Sequence, residues 1–108
     1  MRILLPPSEG KTPPVAGPAL KLDELAFPSL HPGRRSVLTA LMLLCRTDPG
    51  AALQVLGLGA TGRTEVARNA TLTEQPCAPA EAVYSGVLFA ALDLPSLPAA
   101  REVVLIAS

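Results

Sequence analysis

Aromatic residues and cysteines, which often identify a protein class, are scarce in this sequence. Tryptophan is absent from the 108 residues, and the aromatic side chains are two phenylalanines and one tyrosine. Because 49% of the residues are hydrophobic, leucine, valine and alanine must supply most of the core. The two cysteines, Cys45 and Cys77, lack the Cys-x-x-Cys spacing of redox and zinc motifs. We therefore expect reduced thiols in a cytoplasmic protein, with no metal and no cofactor.

Net charge and long hydrophobic runs are also missing. Nine acidic residues balance nine basic ones, and the sequence pI is about 6.5. Non-specific binding to nucleic acid is mainly electrostatic, so a surface that is basic throughout is excluded and only a local basic cleft stays open. The longest apolar stretch, residues 38–45, is far too short to cross a bilayer. We expect no membrane association, and no secretory signal is visible.

Prolines are abundant, at 12 of the 108 residues, and together with the glycines they divide the chain into short elements. Asp48 followed by Pro49 is typical of a helix start, with the aspartate as the cap. Thr61 is predicted to cap a later helix. Gly86 is predicted to be a break inside a stretch whose residues favour strand and helix about equally. Apolar spacing and these signals predict three helices, over residues 33–46, 49–56 and 62–70.

The two ends of the sequence predict strands. Residues 2–5 form a short apolar run, and residues 103–107 form a β-branched run typical of a strand that is buried on both faces. We predict an α/β fold with a mixed or parallel sheet, in which these terminal strands pair and mostly helical segments lie between them. Residues 1–108 would form a single domain. A two-stranded sheet rarely stands alone, so we expect part of a larger fold, or a dimer that completes the sheet.

The stretch PPSEGKT, residues 6–12, ends like a phosphate-binding Walker A motif but does not meet its requirements. Leu5 occupies the position of the first glycine, and Pro6 and Pro7 have no amide hydrogens to offer to a phosphate. Prolines also follow Thr12, so no long helix can begin there. What remains is a loop at a strand end, which is either a ligand-binding loop or a solvated turn. This loop presents Ser8, Glu9, Lys11 and Thr12.

The stretch around Gly57 and Gly59 has the apolar-Gly-apolar-Gly pattern of a helix-hairpin-helix turn, within a predicted helix pair at about residues 49–70. Glycines let the backbone approach a phosphate closely, and the next helix supplies free amides. Arg63 and Arg68 would add positive charge. The alternative is a plain connector between two helices, in which the glycines only provide positive φ angles.

No catalytic constellation is visible in the sequence. His31 is the single histidine and has no neighbouring metal ligands. Ser8 has no base at a diagnostic spacing, so a nucleophilic role is unsupported. The carboxylates are scattered and form no acid–base pair that spacing can identify.

Four segments in this order resemble the YaaA family of peroxide-stress proteins, and together they cover essentially the whole chain. They are LPPSEGKT at the first strand, GLGATGRTEVARN in the centre, AVYSGVL and the final strand VVLIAS. The resemblance implies a mixed α/β fold with a positively charged cleft, a helix-hairpin-helix element, DNA binding and a role in lowering intracellular free iron. Family members run to more than double this length, so any basic cleft would come largely from their remaining residues.

The resemblance also implies which residues form the site. The implied phosphate-binding or DNA-binding residues are Ser8, Lys11, Thr12, Gly57, Gly59, Arg63 and Arg68. Tyr84 and Gly86 carry the third family segment. No catalytic residue and no metal ligand is implied.

Three hypotheses about function follow. The main one is a non-enzymatic YaaA-like oxidative-stress protein that binds DNA by contacting the phosphate backbone of the DNA. The second is an enzyme or binding module that acts on a phosphorylated or nucleotide ligand, with Lys11 as the anion clamp. The third is a truncated, inactive fragment. The oligomeric state is left open.

Overall fold

The computed structural model describes residues 1–107. Across these residues the strands are β1 (Ile3–Leu5), β2 (Gly10–Lys11), β3 (Tyr84–Ser85) and β4 (Val104–Ile106). The α-helices are α1 (His31–Thr47), α2 (Pro49–Val55), α3 (Arg63–Ala70), α4 (Ala80–Val83), α5 (Val87–Leu92) and α6 (Ala100–Val103). Single turns of 3₁₀ helix lie at Leu22–Glu24, Pro28–Leu30, Ala60–Gly62, Leu72–Glu74 and Leu94–Ser96. Ser108, at the end of the VVLIAS segment, is outside the described residues.

The chain divides into two compact units. The first combines Met1–Gly17 with the residues from Cys77 onward, and the second is Pro18–Pro76. The first unit holds all the strands together with α4, α5 and α6, whereas the second is helical and holds α1, α2 and α3. The assignment of the whole chain to a single domain stays a prediction. None of the helices in residues 1–107 has the length and apolar character that a membrane span needs.

Two small sheets organise the first unit. β1 and β4 pair in parallel, with Ile3 opposite Val104 and Leu5 opposite Ile106, so the predicted pairing of the terminal strands is confirmed. β2 and β3 pair antiparallel. The fold is therefore mixed α/β, as predicted, with helical segments between the paired strands.

The prediction that the last strand is buried on both faces is wrong for the described chain. Val104, Leu105 and Ile106 are each half-buried, and Leu4 of β1 is 71% exposed. The physical reason is the number of strands, because within residues 1–107 this sheet consists of β1 and β4 alone. A side chain on a two-stranded sheet keeps contact with water unless further elements cover its face.

The stretch whose residues favour strand and helix equally is divided at Gly86, as predicted. α4 leads into β3, Gly86 then adopts a φ of 117°, and α5 begins at the next residue. On α4, Glu81 accepts hydrogen bonds from the guanidinium of Arg101 on α6, with 2.6 Å between Arg101 Nε and Glu81 Oε1. These hydrogen bonds and the charge of the carboxylate raise the pKa of Arg101. The pair links two helices that are each too short to be stable in isolation.

The second unit is built on α1, which begins two residues before the predicted start. The backbone amide of Asp48 donates to the carbonyl of Leu44 at 3.0 Å and closes the last turn of α1. The Asp48 side chain then accepts from the amide of Ala51 at 2.9 Å, so the predicted cap of α2 is confirmed. One residue thus ends one helix and starts the next, and this allows a sharp turn between them.

The core of the second unit lies where its three helices meet. Cys45 of α1, Ala52 of α2 and Val66 of α3 are buried. Surrounding apolar side chains pack against this cluster, namely Leu41, Leu44, Leu53, Leu58 and Ala70. The Arg46 guanidinium also donates to the carbonyl of Ala70 at 2.5 Å, which joins α1 to the end of α3.

The prediction that Thr61 caps the third helix is wrong. α3 begins at Arg63, its cap residue is Gly62, and no side-chain hydrogen bond caps it. Thr61 lies instead inside a 3₁₀ turn, which the amide of Gly62 closes by donating to the carbonyl of Gly59 at 2.8 Å. Because of this turn, Gly62 occupies the cap position of α3 that was predicted for Thr61.

Candidate functional site

The loop that follows β1 folds back and pairs with a distant segment. Lys11 in β2 lies opposite Tyr84 in β3, and Gly10 lies opposite Ser85. The amide of Thr12 extends this contact by donating to the carbonyl of Val83 at 2.7 Å. The first and third family segments, which are more than 70 residues apart in the chain, are therefore neighbours in the first unit.

Lys11 is exposed and its amine is held at two points. Its Nζ atom donates to the carbonyl of Ser8 at 2.8 Å and lies 5.5 Å from the centroid of the Tyr84 ring. An ammonium group has three donors, and a cation this close to an aromatic face is attracted to it. One donor is used by Ser8, so the amine can still offer hydrogen bonds to an anion from a defined position.

Ser8 is the buried polar residue of the loop, with 9% of its surface exposed. Its hydroxyl donates to the carbonyl of Ser85. A Cβ atom at Gly86 would lie 2.8 Å from Ser8 Oγ, and the φ of 117° at Gly86 also disfavours any other residue. Ser8 and Gly86 therefore form a tight contact that fixes the loop against β3.

A cavity of about 370 Å³ lies beside this loop, lined by residues 6–10 and 86–89. Phe89 is a buried member of this lining and stacks on Tyr84, with the ring centroids 5.1 Å apart. Sequence reasoning did not single out Phe89. The sequence feature that could have indicated Phe89 is its position three residues after Gly86, in the first turn of the short helix α5.

The glycine hairpin belongs to the second unit and joins α2 to α3. Gly57 has a φ of 65°, in the left-handed region, whereas Gly59 is extended with a φ of −71°. No atom lies within 4 Å of where a Cβ would stand at either position. Both glycines face open space, so neither is there to make room for a packed side chain.

Gly62 is the glycine that packing requires, and sequence reasoning missed it. It is buried, and a Cβ atom there would lie 2.5 Å from Leu58 Cβ and 3.3 Å from Leu53 Cδ2. The signal was its position directly before the third helix, where α2 and α3 have to approach each other. The hairpin thus combines two open glycines with one that is sterically necessary.

The two arginines of the hairpin differ in their surroundings. Arg68 donates to Glu65 at 2.6 Å, one turn earlier on α3, so its charge is offset. Arg63 is exposed at the start of α3, and among residues 1–107 its guanidinium has no hydrogen-bond or ion-pair partner. Arg63 is therefore the cation of the hairpin that is available to a ligand.

The candidate residues fall into two groups. Ser8, Lys11, Thr12, Tyr84 and Gly86 come together in the first unit, and Gly57, Gly59, Arg63 and Arg68 belong to the second. Within the described part of the chain, no three histidine, cysteine or carboxylate side chains are close enough to hold a metal ion. The chain is thus a mixed α/β protein with a lysine-bearing loop at a strand end and a glycine-containing helical hairpin.

Comparison with known proteins identifies the family. A UPF0246 protein from Streptomyces coelicolor is 47% identical over 102 residues, which are 94% of this chain and 39% of the relative. A UPF0246 protein from Corynebacterium efficiens is 46% identical over 109 aligned residues, which are 100% of this chain and 43% of the relative. A third, from Corynebacterium glutamicum, is 43% identical over 98 residues. The chain belongs to the UPF0246 family, the YaaA family that its segments resemble.

The chain spans about two-fifths of the length of these relatives. No family model matches the chain, and no solved structure matches it.

Proposed function

We propose that this chain acts in a YaaA-like response to peroxide, helps to limit intracellular free iron, and binds DNA by contacting the phosphate backbone of the duplex. The observation that carries the DNA-binding part is the open hairpin between α2 and α3. Gly57 and Gly59 have no neighbouring atoms at their Cβ positions, and Arg63 beside them has no partner in the described chain. Such a turn lets a phosphate approach the backbone and meet a cation.

The charge of the hairpin limits how strongly it binds. Residues 49–70 contain two arginines and one glutamate, so their formal net charge is +1. Phosphate contacts of this kind position a protein on a duplex without reading its sequence. We therefore expect weak binding that does not depend on sequence and that comes from one or two phosphate contacts.

The DNA-binding test is a salt titration of a fluorescently labelled 20-base-pair duplex, followed by anisotropy. Each phosphate contact contributes about −0.9 to the slope of log K against log salt. Arg63→Gln should weaken binding and make that slope shallower by about one. Arg35→Gln is the matched control, because Arg35 is an exposed arginine on α1 that already has Asp23 as a partner at 3.5 Å.

Arg35→Gln should leave the slope unchanged. Absence of duplex binding at low salt, or equal slopes for Arg63→Gln and the parent chain, would rule out the hairpin as the DNA contact.

The iron-limiting part of the proposal rests on family membership and needs a test in cells. We expect that a bacterium lacking its own family member accumulates less free iron after peroxide when it expresses this chain. Electron paramagnetic resonance of chelated iron measures that pool. The full-length Streptomyces coelicolor relative is the matching comparison, and an iron level equal to that of the empty vector would contradict the proposal for this chain.

The second candidate function is that of an enzyme or binding module for a phosphorylated or nucleotide ligand, with Lys11 as the anion clamp. It is favoured by the position of the Lys11 amine, which donates to the carbonyl of Ser8, a residue that lines a cavity of about 370 Å³. A cavity of that size is within the range of small-molecule sites. An exposed lysine with free donors suits a phosphate as a point charge.

Calorimetry with adenosine monophosphate tests this second candidate. Lys11→Gln should abolish the heat of binding, whereas Lys21→Gln should not. Lys21 is the other lysine of the sequence and is an exposed side chain paired with Glu24 at 3.2 Å. Equal affinities of the two variants would exclude the clamp. A chain that binds neither duplex nor nucleotide and leaves iron unchanged would fit the inactive-fragment hypothesis.

A further inference from the structure

A cavity of about 190 Å³ lies among α1, α2 and α3 and is separate from the glycines of the hairpin. Its lining includes Cys45 of α1, Leu53 of α2 and Val66 of α3, which also belong to the core of this unit or pack against it. The lining is mostly apolar, and Arg63 is its charged member. Pockets between helices with apolar walls and one well-placed polar group are the usual form of a small-molecule site.

The volume of the pocket selects the size of its ligand. An apolar cavity of about 150 Å³ accommodates one benzene ring. The pocket is slightly larger, so it accommodates one ring with a small substituent.

The charge of the pocket selects the chemistry of its ligand. Arg63 is the first residue of α3, where the positive end of the helix dipole disfavours a cation. Glu65, the acid of the same helical turn, is already bound to Arg68. The guanidinium of Arg63 therefore lacks a compensating anion in the described chain, and a planar carboxylate is the group that matches its paired donors.

We propose that this helix-junction pocket binds a small organic acid, with an apolar body about the size of a benzene ring among Leu53, Val66 and Cys45. The carboxylate of the ligand is bound by Arg63. The apolar body accounts for the lining, and the carboxylate accounts for an arginine that has no partner. The proposal does not depend on DNA binding, on Lys11 or on any role in iron limitation.

Benzoate is the probe, and benzyl alcohol is its uncharged counterpart of similar shape. In ¹³C-methyl NMR titrations of the full chain, benzoate should shift the methyl signals of Leu53 and Val66 and bind more tightly than benzyl alcohol. Arg63→Gln should weaken benzoate at least about tenfold, because a hydrogen bond to a charged group is lost. The same variant should leave the affinity for benzyl alcohol unchanged.

Two further variants make the result specific. Ala67→Leu adds bulk to the pocket lining and should weaken both probes, whereas Arg35→Gln should affect neither. Circular dichroism of each variant confirms that it is folded. Equal binding of benzoate and benzyl alcohol, methyl shifts away from Leu53 and Val66, or an Arg63→Gln variant that keeps its affinity for benzoate would overturn the proposal.

Discussion

Gly57 and Gly59 of the hairpin have distinct physical roles. Their backbone angles and surroundings show the difference. Gly57 is at a φ of 65°, where a side chain is strained, although space is available for one. Gly59 is extended and open, so an alanine fits there without strain. Substitution of Gly59 is therefore the clearest test of whether a phosphate approaches the backbone of this turn, because an alanine there does not disturb the fold.

The first prediction concerns these two positions. Gly57→Ala should lower the free energy of unfolding by about 1 kcal/mol because of left-handed strain. Gly59→Ala should leave it unchanged or raise it by up to about 1 kcal/mol, because alanine restricts the unfolded chain. Urea denaturation measures both values.

Measurements of duplex binding by the same variants distinguish between two interpretations of the turn, a plain connector and a phosphate-binding turn. If the turn contacts phosphate, Gly59→Ala should weaken DNA binding in spite of its intact stability. A stable Gly59→Ala variant with unchanged affinity would favour the plain connector.

The cap at Asp48 and the pairing of β1 with β4 were predictable from the sequence, whereas the contact between Ser8 and Gly86 was not. The cap at Asp48 follows from a hydrogen bond that spans three residues, so the local sequence contains all its determinants. The contact between Ser8 and Gly86 depends on how β2 and β3 pair, and no local pattern encodes that pairing. The resemblance placed both residues in family segments but did not indicate that they touch.

At the level of elements, the α2–α3 hairpin is held together by close packing at one glycine. A methyl group at Gly62 would overlap Leu58, whose Cβ is 2.5 Å from the required position. Leu58 also packs against the buried cluster of Cys45, Ala52 and Val66. Bulk at Gly62 would therefore disturb the core from within the turn.

The second prediction tests this packing with a matched pair of glycines. Gly62→Ala should destabilise the chain by about 1–3 kcal/mol, the usual cost of overpacking. Gly33→Ala places the same methyl group in α1, where no atom lies within 4 Å, and should stabilise by up to about 1 kcal/mol. Thermal unfolding followed by circular dichroism compares them, and similar melting temperatures would contradict the packing role of Gly62.

The helices α1, α2 and α3 were predicted more accurately than the cap of α3, for a physical reason. Apolar spacing determines which residues of α1 face the core, and this spacing is visible in the sequence. The start of α3 depends instead on the 3₁₀ turn at Ala60–Gly62, whose formation is linked to the packing of Gly62. A threonine at a suitable position could not compete with that arrangement.

For the whole molecule, the balance of charges decides how the proposed DNA binding would be modulated. The chain has no formal net charge, so attraction to a duplex depends on local groups and is easily changed by one of them. Glu65 reduces the positive charge of the hairpin by pairing with Arg68. This ion pair is the point at which a single substitution should alter the affinity for DNA.

The third prediction follows from that ion pair. Glu65→Gln releases Arg68 and should strengthen duplex binding, making the slope of log K against log salt steeper by about one. Glu74→Gln removes the same charge from an exposed position in the turn Leu72–Glu74 and is the control. Anisotropy titrations at several salt concentrations compare the two, and equal effects would show that net charge, rather than Arg68, governs binding.

The parallel pairing of β1 with β4 has a consequence for synthesis on the ribosome. Ile3 is synthesised early, but its partner Val104 is translated about one hundred residues later. During that interval β1 has no β4 strand with which to pair. Pro18–Pro76 is translated in one continuous stretch and forms its contacts over shorter separations. We therefore expect the helical unit to be folded on the nascent chain first, while the opening strand stays open to chaperones until translation reaches its partner.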